Sequence, residues 1–285
     1  NAVNYNAIFQ APNQWINSAP CLIGNGESLY LAYMGATGNY IYLTTSGNLG
    51  VSWSNAIQLP TSMMTTATPS LAYDGGTLYI AYQGLDNQLY ISGSQDNGQT
   101  WAEPIAISQS LSVNGFGLAV NRYVYAFFAA DDSQILYTWA AEPLSPGTNG
   151  WSMNPTSWTT PQALDGPIGT NGPISATSVN GGLYLSYPAP FNSEEFIFAS
   201  QNPWTEQWNP DTLLEYSSLS APNLFNDGSQ VYLSFITNGG AINLQAIPND
   251  LNGGNGGTWQ GTPQIISNQS SNYAPSGTVA NGKTY

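Results

Sequence analysis

Apolar and polar positions alternate along this chain in short runs, each closed by Gly, Asn or Asp. Leu29-Tyr30-Leu31-Ala32-Tyr33 recurs as Leu78-Tyr79-Ile80-Ala81-Tyr82, Val124-Tyr125-Ala126-Phe127-Phe128, Leu183-Tyr184-Leu185-Ser186-Tyr187 and Val231-Tyr232-Leu233-Ser234-Phe235, and a sixth copy opens at Thr284-Tyr285. A period of two with β-branched and aromatic residues predicts strands, and no segment sustains the 3.6-residue period of a helix. The equivalent tyrosines at 30, 79, 125, 184, 232 and 285 are spaced by 49, 46, 59, 48 and 53 residues.

A lead-in precedes each run by about ten residues: Ala19-Pro20-Cys21-Leu22, Thr68-Pro69-Ser70-Leu71 and Ala221-Pro222-Asn223-Leu224, with looser copies at Pro173 and Ala274-Pro275. A trailing tryptophan keeps the same beat at Trp53, Trp101, Trp158, Trp208 and Trp259. The long step of 59 is accounted for by a Pro, Gly and Ser-rich insertion within Glu142 to Pro155, which reads as an elongated hairpin. Each period holds four short strand-like runs, the signature of one propeller blade.

The expected fold is therefore all-β, a six-bladed β-propeller of four-stranded antiparallel blades in one domain over residues 1–285. The repeats are approximately 19–67, 68–115, 116–171, 172–220, 221–273, and 274–285 together with 1–18. Tyr5 to Phe9 is expected to supply the outermost strand of the last blade and Ala274 to Val279 its first, so both termini share that blade. It is short of one strand, and two explanations stand open: a chain continuing past Tyr285, or an incomplete blade. A start at Asn1 without Met or a signal-like stretch suggests a mature or excised form and, with it, secretion or surface display.

One turn is more specific than the rest. Ser94-Gln95-Asp96-Asn97-Gly98-Gln99-Thr100-Trp101 fits S-x-D-x-G-x-T-W at every fixed position, and Ser46 to Trp53 repeats it with Asn48 for Asp and Ser52 for Thr. Weaker remnants precede Trp208 and Trp259. This resembles the Asp-box, or BNR repeat, of sialidase-like β-propellers. In that pattern Ser94, Asp96, Gly98, Thr100 and Trp101 are structural: the acid accepts turn amides, Gly permits positive φ and the indole packs between blades. The resemblance implies that these hairpins lie on the face opposite the ligand site. Sialidases of this family clamp a carboxylate with three arginines, and Arg122 is the only arginine here, so the resemblance implies scaffold without sialidase chemistry.

Composition narrows the chemistry further. The chain has 285 residues, two basic and sixteen acidic, no His, and a formal charge of −14. Charged residues make up 6% of it, against roughly 25% in an ordinary domain. With Arg122 and Lys283 the only cations, nucleic acid and anionic membrane surfaces are poor partners. Gly117 to Ala130 is the longest apolar stretch and is interrupted by Asn121-Arg122, so no membrane insertion is expected. Lack of His excludes the common triads and most zinc sites. Cys21 is the single cysteine and reads as strand core. Asp250 to Asn255 offers one carboxylate without a closing Glu, so it reads as a hairpin and no metal or other cofactor is expected.

Candidate ligand residues fall in the turns after the second strand and in the crossovers, opposite the Ser94–Trp101 hairpin. They are Trp15, which is off the tryptophan beat, with Asp86, Gln88, Asp131, Asp132, Glu194, Glu195 and Tyr216. The plain alternative is that the acids cap their own turns. Glu194 and Glu195 are neighbours in a strand, so they point to opposite faces and cannot form one catalytic pair. The leading expectation is a non-catalytic, lectin-like propeller, secreted or on a surface, that binds neutral glycans or glycoproteins. The alternatives are a glycoside hydrolase working through carboxylates of different blades, and a protein-interaction module of a larger surface or toxin protein.

Overall fold

The computed structural model describes residues 16, 18–109, 115–130, 132–141, 146–147, 150–151, 158–165, 169–170, 172–190, 195–202, 206–209, 212–218, 220–237, 239–247, 263–270 and 274–285. No helix occurs among them. Five four-stranded antiparallel sheets follow one another, each in simple meander order. The first comprises Cys21–Gly24, Leu29–Met34, Ile41–Ser46 and Ile57–Gln58; the second Ser70–Asp74, Thr77–Gln83, Leu89–Ser94 and Ile105–Ala106. The third holds Gly115–Asn121, Tyr123–Ala129, Ile135–Ala141 and Gln162–Ala163, and the fourth Ser175–Val179, Gly182–Pro188, Glu195–Ser200 and Thr212–Ser217. The fifth is Asn223–Asn226, Val231–Ile236, Ala241–Ile247 and Gln264–Ser270. A sixth sheet is partial, a pair of short strands Val279–Ala280 and Lys283–Thr284. The chain is a β-propeller. Tyr5 to Phe9, expected as an outer strand, lies outside the described residues, as does Asp250 to Asn255.

The lead-in explains how the ring is held. At the position of Cys21, Ser70, Ser175, Asn223 and Ser276 a short side chain accepts the first-strand amide of the next blade. Leu71 donates to Cys21 Sγ (3.3 Å), Leu118 to Ser70 Oγ (3.1 Å) and Leu224 to Ser175 Oγ (2.8 Å). Gly277 donates to Asn223 Oδ1 (3.0 Å), and Leu22 to Ser276 Oγ (2.8 Å), which seats the 276–280 segment between the fifth and first blades and closes the circle. The six first strands enclose a channel of about 370 Å³. Cys21 sits in its wall, its thiol pKa pushed up to about 11 by burial against the opposing bond from Leu71.

The series breaks once. Gly117 stands where the accepting side chain belongs, and a Cβ there would lie 2.5 Å from the Ile174 carbonyl. Backbone has replaced side chain between the third and fourth blades, and the Ser178 hydroxyl instead donates to the Val120 carbonyl.

The first three blades are also braced from within. Thr44, Ser92 and Thr138 donate to the carbonyls of Ser54, Ala102 and Thr159, the residues that follow Trp53, Trp101 and Trp158. These hydroxyls let the fourth-strand segment return to the sheet with its tryptophan turned into the seam. Trp101 packs on the core between the first and second blades, Trp158 on that between the second and third, and Trp208 on that between the third and fourth. In the Ser94–Trp101 hairpin, Asp96 Oδ1 accepts from Ser94 Oγ and from the amides of Gln99 and Thr100, and Trp101 Nε1 donates to the Gly98 carbonyl. Gly98 has φ +87 and a Cβ on it would meet Leu43 Cδ2 of the preceding blade at 2.2 Å, so the turn tolerates no side chain. Ser46 to Ser52 copies the pattern, with Asn48 Oδ1 accepting from Ser46 and from the Ser52 amide.

Candidate functional site

Strand alternation sends one set of third-blade side chains toward the second blade and the other toward the fourth. On the fourth-blade side Tyr125 pairs with Trp139, and Phe127 with Tyr137. The corresponding pairs are Tyr30–Thr45 and Ala32–Leu43 in the first blade, Tyr79–Gly93 and Ala81–Ile91 in the second, Tyr184–Ser200 and Ser186–Phe198 in the fourth, and Tyr232–Ala246 and Ser234–Leu244 in the fifth. Among these blades only the third fills all four positions with rings.

The rings form a continuous wall. Tyr137 and Trp139 stack at 5.6 Å and 18°, Tyr125 lies 6.3 Å from Trp139, and Phe127 is buried beneath with Trp208 set edge-on at 5.9 Å. Tyr123 stands at 88° to Tyr125, turning the wall through a corner, and is 40% exposed. Phe127 and Trp139 need more room than the alanine, serine, threonine and glycine at their positions in the other blades, and the outer part of this seam stays open as a cleft of about 440 Å³.

The rim comes from turns between first and second strands and from the connection after the fourth blade's third strand. Asn121 Nδ2 donates to the Gly181 carbonyl at 2.7 Å, tying the two blades together at the mouth. Arg122 and Asn180 occupy left-handed turn positions, φ +59 and +50. Across the cleft, Gln201 Nε2 donates to the Glu206 carbonyl (2.9 Å), and the Glu206 amide donates to the Asn202 carbonyl (2.9 Å), fixing an exposed Glu206 at φ +56. Its carboxylate has no hydrogen bond or ion pair among the described residues, and the Arg122 guanidinium has none either.

The phenols here are held as donors. Burial pushes Tyr125 up to about 12, with the Glu206 carboxylate and the neighbouring Tyr123 and Tyr137 adding to the rise and Arg122 opposing it. Tyr137 is raised by burial first, then by Asp165 and Glu206. The cleft thus offers an aromatic wall, one cation, one carboxylate and the amides of Asn121, Asn180 and Gln201.

Of the residues singled out in the sequence, Asp86, Gln88, Asp132 and Glu195 do not line this cleft. Asp86 accepts from the Gln88 amide (3.2 Å), from Gln88 Nε2 (3.1 Å) and from Tyr90 Oη (2.9 Å), all within its own turn of the second blade. Asp132 accepts from the Gln134 amide (3.0 Å) in the equivalent turn of the third. Glu195 opens a fourth-blade strand, at a bulge opposite Ser217. These turns lie at the opposite end of the blades from the cleft, and each carboxylate that forms bonds serves its own loop. The cleft opens instead at the end that carries the Ser94–Trp101 hairpin, where Asn97 accepts from Tyr30, the first-blade counterpart of Tyr125, so a ligand in it runs against the expectation that this hairpin faces away from the site. Trp15, Asp131 and Glu194 lie outside the described residues, and Tyr216 is placed by its backbone alone.

No family model matches the sequence, and no curated protein does. Solved structures do. AofleA from Arthrobotrys oligospora aligns over 94% of this chain and 78% of its own, with a TM-score of 0.62 and 10% identity. The SapL1 lectin, solved with alpha methyl fucoside, aligns over 92% and 84%, with a TM-score of 0.56 and 15% identity. GH43B from a Bacteroides ovatus xyloglucan locus aligns over 93% and 60%, with a TM-score of 0.52 and 14% identity. The chain spans 32% of the length of the NanB sialidase from Streptococcus pneumoniae, which it also matches at a TM-score of 0.48 and 18% identity. At these identities the likeness is one of fold.

Proposed function

We propose that this protein is a non-catalytic carbohydrate-binding propeller, secreted or surface-displayed, which takes neutral rather than anionic glycans in the cleft between its third and fourth blades. The observation that carries this is the four-ring wall of Tyr125, Phe127, Tyr137 and Trp139, which the first, second, fourth and fifth blades do not repeat, beside the Asn121, Asn180 and Gln201 amides. A pyranose has an apolar face suited to an aromatic ring and hydroxyls suited to planar amides, and a site of this size holds one or two sugar rings. Fold supports the reading in general terms, since a lectin of this architecture is seen with a fucoside.

Catalysis is disfavoured by the same geometry. A glycosidase pair needs two carboxyl groups roughly 5–9 Å apart, and among the described residues Glu206 is the one carboxylate lining the cleft. A hydrolase would then have to work elsewhere, and the turns holding Asp86, Asp131, Asp132, Glu194 and Glu195, with Trp15 and Tyr216 nearby in the repeat, remain the other location for a site. The Ser94–Trp101 hairpin is read as a structural Asp-box.

NMR titration with neutral mono- and oligosaccharides tests the proposal. Shifts at Trp139, Tyr125 and Asn180 at millimolar ligand are expected. Shifts confined to the Asp86 and Asp132 turns would move the site, and none at tens of millimolar would replace glycan binding by protein recognition.

A further inference from the structure

The cleft contains a feature that neutral sugars do not use. Glu206 is exposed, is set by its backbone against the aromatic wall, and has no hydrogen bond or ion pair to its carboxylate among the described residues. Three acids in other turns behave differently. Asp86, Asp96 and Asp227 each accept several bonds from their own loops: Asp227 alone receives the amides of Ser229 and Gln230 and the hydroxyls of Ser229 and Tyr232. Among the described residues the Glu206 carboxylate caps nothing. It stands next to rings whose faces attract positive charge.

We propose that the cleft prefers a glycan carrying a free amino group, with the ammonium seated between the Glu206 carboxylate and the corner formed by Tyr123 and Tyr125. This rests on the carbohydrate reading above and replaces its neutral ligand by a cationic one. Three physical terms point the same way. The carboxylate provides a charge-assisted hydrogen bond, stronger than any the amides can make. The rings of Tyr125, Tyr137 and Trp139 add cation–π attraction for an ammonium and stacking for the sugar body. A formal charge of −14 draws cationic ligands toward the whole surface and repels sulfated or sialylated ones.

Arg122, at the same end, does not cancel this. Glu206 and Arg122 form no pair with each other, and both act on Tyr125 from its surroundings. The guanidinium supplies donors to ring and hydroxyl oxygens at one end of the ligand, while Glu206 accepts at the other. The ligand chemistry that matches is a hexosamine with its amine unacetylated, as in a glucosamine oligomer.

The test uses two probes that differ only in charge: a glucosamine trimer and its fully N-acetylated counterpart, titrated into the full chain by calorimetry or NMR at low salt. The free-amine trimer should bind about tenfold more tightly, the ratio expected when one charge-assisted hydrogen bond replaces a neutral one. That ratio should shrink toward one at high salt and in Glu206→Gln, which keeps size and removes only the charge. Two further results overturn the inference while leaving the carbohydrate reading in place: equal or tighter binding of the acetylated trimer, or a free-amine preference unaltered in Glu206→Gln. If neither trimer binds, and neutral sugars give no shift, both fall together.

Discussion

The phenol of Tyr125 and the indole of Trp139 face each other across the third blade, ring centroids 6.3 Å apart and planes tilted by 30°. At the same two positions the first blade has Tyr30 and Thr45, and the second has Tyr79 and Gly93. Trp139 therefore adds a ring where the first two blades have Thr or Gly, beside the second substitution of Phe127 for Ala32 and Ala81. Trp139→Thr restores the first blade's residue in a half-buried position. It should leave thermal stability nearly unchanged and lower glycan affinity about tenfold or more, as expected when an aromatic platform is lost. Calorimetric titration beside a melting curve measures both.

The ring of amide bonds between first strands makes a prediction about stability. Ser175→Ala leaves the Leu224 amide without its acceptor and removes a contact of Asn223, and should cost about 1–3 kcal/mol in urea unfolding. Gly117→Ser looks like a repair of the series and should do the opposite, because its Cβ would press on the Ile174 carbonyl. If Gly117→Ser were neutral or stabilising, the close approach of the third and fourth blades would be wrong.

Asp96 and Asp227 predict the acid limb of stability. Burial alone would raise each carboxyl, but hydrogen bonds, first from Thr100 for Asp96 and from Ser229 for Asp227, outweigh it and hold both below their ordinary 3.8. A carboxyl with a depressed folded-state pKa contributes stability in full above its unfolded value and loses it as pH falls through the folded one. Urea midpoints should therefore drop between pH 5 and pH 2, and the drop should be smaller in Asp96→Asn. At neutral pH, Asp96→Ala should cost about 1–2 kcal/mol through its turn bonds and leave glycan affinity unaltered.

Sialoside hydrolysis should be absent. One arginine cannot make a three-arginine clamp, and the cleft has one carboxylate among the described residues. A fluorogenic sialoside should turn over at the buffer rate; turnover that a point substitution abolishes would contradict this.

The architecture was legible because it is repeated. Alternating runs, the Leu22, Leu71 and Leu224 lead-ins and the tryptophan beat each report the same period, and only a stacked, four-stranded unit satisfies all three. The role of Ser70, Ser175 and Asn223 was not legible, because a polar residue before Leu has no visible partner until the next blade is beside it. The cleft was hidden for the same reason. Trp139 is off the tryptophan beat, as Trp15 is, but its meaning depends on Tyr125 lying opposite and on a fourth blade held at the distance set by Gly117. Asp86 and Asp132 stood out as polar turn residues, yet such residues satisfy nearby amides more readily than they wait for a ligand. Arg122 stood out as one of two cations, without any sign that it borders a cleft.

The most direct test of the cleft as the binding site compares two variants on one ligand. The tightest-binding oligosaccharide is titrated into Trp139→Ala and, side by side, into Asp86→Ala. Loss of most of the affinity in Trp139→Ala, with Asp86→Ala binding like the parent chain, is the predicted result. Loss in Asp86→Ala with Trp139→Ala unaffected would contradict it and place the site at the other end of the blades.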